Sequence, residues 1–550
     1  MLASTPDLGT PDLAKDLPAI TGGTGGAGGA GGTDAATGGT GGGGTGGTAS
    51  PDALVDHPAT DAPDAGVDVA HDGPSASNGD ASDGGGEAGG TGCLAPVAAW
   101  SYAVGGLTNI AWDKDGSLIT GQAFYGIPSF GPLNGGVPLD VTNNGSADIL
   151  VAKLDPNSGN PSWVFTAGDV KDQYVTGVAV TSAGLGLLGT FEGTLQIGSG
   201  APVVNAGSTM IDYIAGIGED GSGVWAKKIN LGGGKLNAIA GQTGKGYFVV
   251  CGSAMNNAAN LSPTGVALGT PGGGNDVVVA AVNASDGTIL WSKMFGGAMD
   301  QSCTAAVLDD AGNAVFAGSY AGTLDFGAGS LSPAPTGATD QILWVAKLNG
   351  TTGATISAKA FGTTGTVSPQ ALTADAQGNV IVAGKLSGAA VTFGSTVLTP
   401  VATDTFVAKL DTNLAPSWAR RWGGSVATCK GVAVDSTGNA IAVGTFSGTI
   451  DVGPGSTVLT SHPSATLNLS NVLETFVVSL DGSTGQTLCA HNYGDGASKG
   501  GGAQAVAVNR WATGAEQNAT AIAGSFSVVV DFGVTALSST GNSIGYLLRM

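Results

Sequence analysis

Gly431–Gly453 reads GVAVDSTGNAIAVGTFSGTIDVG, and close variants of it recur along the chain after Cys93. Its opening Gly431-Val-Ala-Val-Asp435 is a short apolar run, ended by Asp-Ser-Thr-Gly-Asn. That ending is hairpin-turn chemistry: Asp bonds the turn backbone and Gly supplies positive φ. Asn439–Phe446 is a second strand, Glu474–Asp481 alternates as a third and Thr487–Tyr493 makes a fourth. No stretch holds a 3.6-residue apolar period, so helices are expected to be nearly absent.

Working outward, the glycine that ends the second run recurs as Gly121, Gly189, Gly252, Gly318, Gly384, Gly444 and Gly524. A separate marker on the fourth strand recurs as Trp100, Trp163, Trp225, Trp291, Ser357, Trp418 and Cys489, on nearly the same beat of about 60–70 residues. Seven units of four antiparallel strands predict an all-β fold, a seven-bladed β-propeller, whose closure leaves only short protected edges. The first strands pair a small column (Ala111, Ala179, Ala240, Val307, Thr373, Ala433, Ala507) with a larger one beginning Ile110, Val178, Ile239. A taper toward a crowded axis demands that combination, so these strands are expected innermost. The last unit stops at Gly545–Met550, a third strand without its fourth, and Pro96–Gly106 supplies the missing strand with Trp100 in register. N- and C-terminal strands are therefore predicted to close one blade together.

Val432–Asn439 (VAVDSTGN), Thr405–Asp411 (TFVAKLD) and Gly322–Gly327 (GTLDFG) resemble the repeats of secreted bacterial β-propeller proteins of the SBBP type, over about residues 96–550. The resemblance implies the propeller fold and an extracytoplasmic, envelope or lipoprotein-like setting. It carries no catalytic residues across. The units exceed a minimal repeat of about 40–45 residues, and the excess lies between strands two and three. Thr194–Val204, Thr323–Ser332 and Val530–Leu537 read as small extra hairpins that decorate one face.

Ahead of the repeats, residues 1–93 form a different region. Residues 21–47 are almost only Gly, Thr and Ala, and residues 51–92 are rich in Asp, Ala, Pro and Gly. Neither can bury enough apolar area to offset chain entropy, so 1–93 is expected to be a disordered stalk before a 94–550 propeller. Residues 1–20 show neither a basic nor an apolar leader segment, and a stalk implies an anchor. An export signal upstream of Met1 is the expectation.

The net charge is −22, of which residues 1–92 contribute −12. An acidic body with scattered Lys and Arg has no footprint for phosphate backbones, which argues against nucleic acid as a partner. No apolar run reaches the roughly 20 residues of a membrane-spanning helix.

Candidate chemistry is sparse. Asp148, Asp212, Asp276, Asp340, Asp404 and Glu474 precede the third strands. Neighbouring sheets lie about 10 Å apart and calcium needs oxygens at about 2.3–2.6 Å, so these acids are read as turn caps. No cofactor is expected, with calcium the one exception the motifs admit. Asp113-Lys-Asp115-Gly and Asp140-Val-Thr-Asn-Asn144-Gly faintly resemble calcium loops, although Val151 stands where the second would need Glu. The five cysteines show no metal spacing. Cys303 and Cys429 share a register two blades apart, too far for a bond. Cys93 with Cys489 remains open, and buried thiols are the expectation. Of four histidines, only His462 and His491 belong to the repeats, too few for a clustered triad or metal site.

Two places break the repeat. Asn509–Asn518 adds five residues over its counterpart and is expected to carry Arg510, Trp511 and Glu516 to a hairpin tip. Gly448–Glu474, which holds His462, is the longest connection of its kind. Exposed Trp and Arg are typical binding anchors. Together these features predict a monomeric, non-catalytic binding or scaffold module for a protein or polysaccharide at the cell surface. The alternative is a secreted polysaccharide lyase or hydrolase acting at the axial channel.

Overall fold

The computed structural model describes residues 95–550 except 103–105, 126–128, 131–138, 141–145, 256–257, 266–267, 270–271, 424–425, 454–457, 462–472, 495–501, 528, 535 and 539–543. The 1–93 segment lies outside the described residues, as do Asn144 and His462.

Seven four-stranded antiparallel sheets make up a seven-bladed β-propeller. The first strands of blades 1 to 7 are Ile110–Trp112, Gln173–Thr181, Leu236–Gly241, Gln301–Leu308, Thr366–Ala374, Val426–Val434 and Gly502–Asn509. Each packs against the first strand of the next blade, and the seventh packs against the first, so the ring closes. Blade 6 continues through Ala440–Ser447, Glu474–Leu480 and Thr487–Tyr493, as the opening stretch predicts. Blade 7 is completed by Ala98–Tyr102, which pairs with Ile544–Arg549 and sets Trp100 opposite Leu547. Helix is confined, among the described residues, to the 3-10 turns Ala259–Leu261 and Gly514–Glu516. None is long and apolar enough to cross a membrane.

Both sequence markers have a packing cause. In blades 2 to 7 the first strand carries a β-bulge, at Thr176, Asn237, Thr304, Gln370, Lys430 and Gln504. The bulge pushes a backbone oxygen of the first strand against the second. A Cβ on Gly189, Gly252, Gly318, Gly384, Gly444 or Gly524 would overlap that oxygen, so only glycine fits there. The fourth-strand tryptophans are held by the following blade. Trp100, Trp163, Trp225, Trp291 and Trp418 each lie against a positive-φ glycine in the next blade's third-to-fourth turn: Gly159, Gly221, Gly287, Gly353 and Gly485. The indole N–H groups of Trp225, Trp291 and Trp418 donate to Ala284, Gly350 and Gly482 carbonyls of the same turns at 2.8, 2.7 and 3.2 Å.

Because consecutive strands are antiparallel, the first-to-second and third-to-fourth turns share one face of the ring. The second-to-third connections and the links between blades share the other. Extra hairpins stand on the latter face in five blades: Ser129–Phe130 with Leu139–Asp140, Gly193–Leu195 with Val203–Asn205, Val391–Phe393 with Thr396–Leu398, Thr449–Asp451 with Val458–Thr460, and Val529–Asp531 with Ala536–Ser538. The expected hairpin at Thr323–Ser332 is instead a tight turn with one bridge, Asp325 to Ser330. Its Asp325 carboxylate accepts three successive backbone N–H groups, at 2.7, 3.1 and 3.0 Å, which closes the turn before a ladder can form.

Candidate functional site

The ring's axis is the natural place to look for convergent chemistry, and its carboxylates already have partners. Asp113 and Asp115, read above as calcium candidates, both face the Lys153 ammonium, at 2.5 and 2.6 Å. A lysine therefore occupies the position a cation would take. The third strands of blades 4 and 5 repeat the device, with Lys347 on Asp309 at 2.8 Å and Lys409 on Asp375 at 2.9 Å. Asp140, the other candidate within the described residues, lies on the short hairpin strand Leu139–Asp140 of the opposite face. The two candidate loops are not brought together. No group of three metal-ligating acidic, His or Cys side chains occurs among the described residues.

The acids before the third strands are junction caps. Asp212 accepts the Leu236 N–H of the next blade at 2.8 Å, Asp276 accepts from Gly272 and Gly297, and Asp340 accepts from Gly337 and Gly365. Asp404 pairs with Arg421 at 2.5 Å, and Glu474 accepts from Asn492. Burial pushes Asp212 up to about 7, against the opposing pull of its Leu236 hydrogen bond and Lys235.

The insertion in blade 7 departs from its expected form. Arg510 does not stand at an exposed tip; it is 5% exposed. Its guanidinium turns inward and pairs with Asp310, in the first-to-second turn of blade 4. Blades 4 and 7 are as far apart as two blades of seven can be, so this ion pair crosses the axis at its turn-face mouth. Gln242 of blade 3 donates to the same Asp310 oxygen at 3.3 Å. Glu516 is held by both oxygens on Arg549, at 2.7 Å each. Trp511 alone of the three stays open, 46% exposed, with the Arg510 guanidinium carbon 4.2 Å from its ring centre. His491 stacks on Tyr493 on the outer strand of blade 6, away from the axis.

Sequence reasoning missed Asp310 and Gln242, which look like ordinary turn residues until the ring brings them opposite the insertion. It also missed the column Thr108, Thr176, Asn237, Thr304, Gln370, Lys430 and Gln504, one polar residue per blade on the innermost strand or, for Thr108, just ahead of it. Asn237 and Thr304 donate across the junction to Cys303 and Pro369 carbonyls at 2.8 and 2.9 Å. The signal was available: a polar residue recurs three positions before the small-residue column.

The cysteine expectation needs correction. Cys251, on the second strand of blade 3, is bonded to Cys303, on the first strand of blade 4, with a Cα separation of 5.7 Å. Ring packing presses these two strands together, which sequence spacing does not reveal. Cys429 remains a buried thiol, and Cys489 is buried on the outer strand of blade 6; Cys93, its candidate partner, lies outside the described residues. Burial pushes the Cys429 thiol up to about 12.

Fold and axis define a seven-bladed β-propeller with a bolted turn face. No family model matches the chain, and no curated protein matches it in sequence. Among solved structures it is similar to the quinohemoprotein alcohol dehydrogenase of Comamonas testosteroni, at 11% identity and a TM-score of 0.39, covering 82% of this chain and 76% of that one. The quinohemoprotein alcohol dehydrogenase ADHIIG of Pseudomonas putida HK5 is similar at 9% identity and a TM-score of 0.38, over 82% and 75% of the two chains. A subtype N11 neuraminidase-like protein of A/flat-faced bat/Peru/033/2010 (H18N11) follows at 10% identity and a TM-score of 0.31, over 67% and 85%.

Proposed function

We infer that the chain is a non-catalytic, extracytoplasmic binding or scaffold module that takes a protein or polysaccharide partner on its hairpin face. The observation that carries this reading is the recurrent decoration of that face. Val204, Val397, Val458 and Val534 stand exposed on four different extra hairpins. Apolar side chains exposed on elements a minimal blade does not need suit docking better than folding. Five acids at the turn-face mouth support a binding role over chemistry, because Asp113, Asp115, Asp309, Asp310 and Asp375 are ion-paired. A buried inter-blade disulfide is the chemistry of an oxidising compartment, and the SBBP-type resemblance agrees with export.

The test is retention of the full chain on insoluble cell-wall polysaccharides and on envelope protein fractions, beside the triple variant V204D/V397D/V458D. Retention of the parent and loss in the variant support the reading. Release of new reducing or unsaturated sugar ends by the parent would replace it with the lyase or hydrolase alternative.

A further inference from the structure

The turn face carries a second feature, independent of the hairpins. Of the nine tryptophans, Trp511 is the one that is largely exposed. It sits in the only first-to-second turn enlarged by an insertion, and its ring is held by the Arg510 guanidinium stacked at 4.2 Å. That guanidinium is itself fixed by Asp310 from across the axis. Indole and carboxylate thus flank one guanidinium. Asp310 retains 23% exposure of its side chain, leaving acceptor capacity toward solvent, and Gln242 stands beside it. A rigid aromatic face next to a fixed carboxylate and an amide is the donor and acceptor set that recognises a hydroxylated, apolar-faced ring.

We propose that the turn-face mouth of the axis is a binding site for a neutral carbohydrate. Trp511 is the stacking platform, Asp310 accepts ligand hydroxyls, and Arg510 is the positioning residue that holds both. The ligand is neutral because the Arg510 guanidinium is already matched by Asp310 and the chain carries a net charge of −22. An acidic polymer would be repelled there.

The experiment is calorimetric titration of the full chain with cellopentaose, maltopentaose, mannopentaose and tetragalacturonate. At least one neutral pentasaccharide binds and tetragalacturonate does not. Trp511→Ala weakens that binding at least ~10-fold and Trp511→Phe by no more than ~3-fold. Both variants keep the parent's melting temperature, since the side chain is exposed. Asp310→Asn weakens binding, whereas the hairpin triple variant V204D/V397D/V458D leaves it unchanged, which separates this site from the hairpin face. Failure of all three neutral sugars to bind, or equal affinity in Trp511→Ala, overturns the proposal.

Discussion

At the junction of blades 3 and 4, Trp291 lies under Gly353, whose φ is +68°, and donates to the Gly350 carbonyl. At the junction of blades 4 and 5, the matching residues are Ser357 and Leu414. Leu414 keeps the left-handed backbone, φ +64°, yet it is a fully buried leucine. Where the outer strand lacks the indole, the turn supplies a side chain of its own. The last exception obeys the same rule. Cys489 precedes blade 7, whose third and fourth strands come from opposite ends of the chain, so no turn glycine exists to cover a tryptophan. Tryptophan and glycine are thus two halves of one bracket, and they are lost together.

Breaking a regular bracket should have the largest effect. Gly353→Val puts a β-branched side chain at positive φ and drives it into the Trp291 ring, for an expected loss of about 3–5 kcal/mol by denaturant unfolding. At the irregular junction Leu414→Gly removes a buried leucine but relieves the strained backbone, so the net loss is smaller, about 1–3 kcal/mol. Adding Ser357→Trp to Leu414→Gly should recover most of that loss by rebuilding the regular bracket. If the double variant is no more stable than Leu414→Gly, the two halves are not coupled.

The junction of blades 3 and 4 also carries the Cys251–Cys303 disulfide, which the other described junctions lack. Reduction, read as a melting shift of the parent against a Cys251→Ala/Cys303→Ala variant, should cost about 2–4 kcal/mol. The cost belongs to this junction, and the Cys429 thiol should add nothing to it.

These contrasts show what a single chain can reveal of such a ring. Blade number, strand order and terminal closure were legible, because Gly444 and five of its counterparts are forced by a bulge within their own blade, and Trp418 and its counterparts by a turn at fixed distance in the next. Pairings across the ring were not. Cys251 and Cys303 meet only through the packing of one blade's second strand on another's first, and no spacing encodes that register. Arg510 was read as a surface tip because an inserted loop normally points to solvent. It turns inward only because the axis offers Asp310, two hundred positions earlier in the sequence.

The last contrast is between the equivalent acids that cap two junctions. Asp404 is neutralised by Arg421, whereas the buried Asp212 accepts the Leu236 backbone N–H, and burial pushes it up to about 7. A carboxyl whose folded value lies above its unfolded value of about 3.9 favours the fold when protonated. Its contribution is therefore complete below about pH 4 and is lost as pH rises toward about 7, at a limiting slope of about 1.4 kcal/mol per unit. Water reaching the site softens that slope, for an expected total of about 1–3 kcal/mol. Asp212→Asn keeps the acceptor oxygen for Leu236 and removes the titration, so its stability should equal the parent's at pH 4 and exceed it at pH 8. Asp404→Asn should do the reverse at pH 8, because it strips Arg421 of its counter-charge. Parallel stability curves for the parent and Asp212→Asn between pH 4 and 8 would mean that Asp212 ionises freely, and that the two junctions are electrostatically alike.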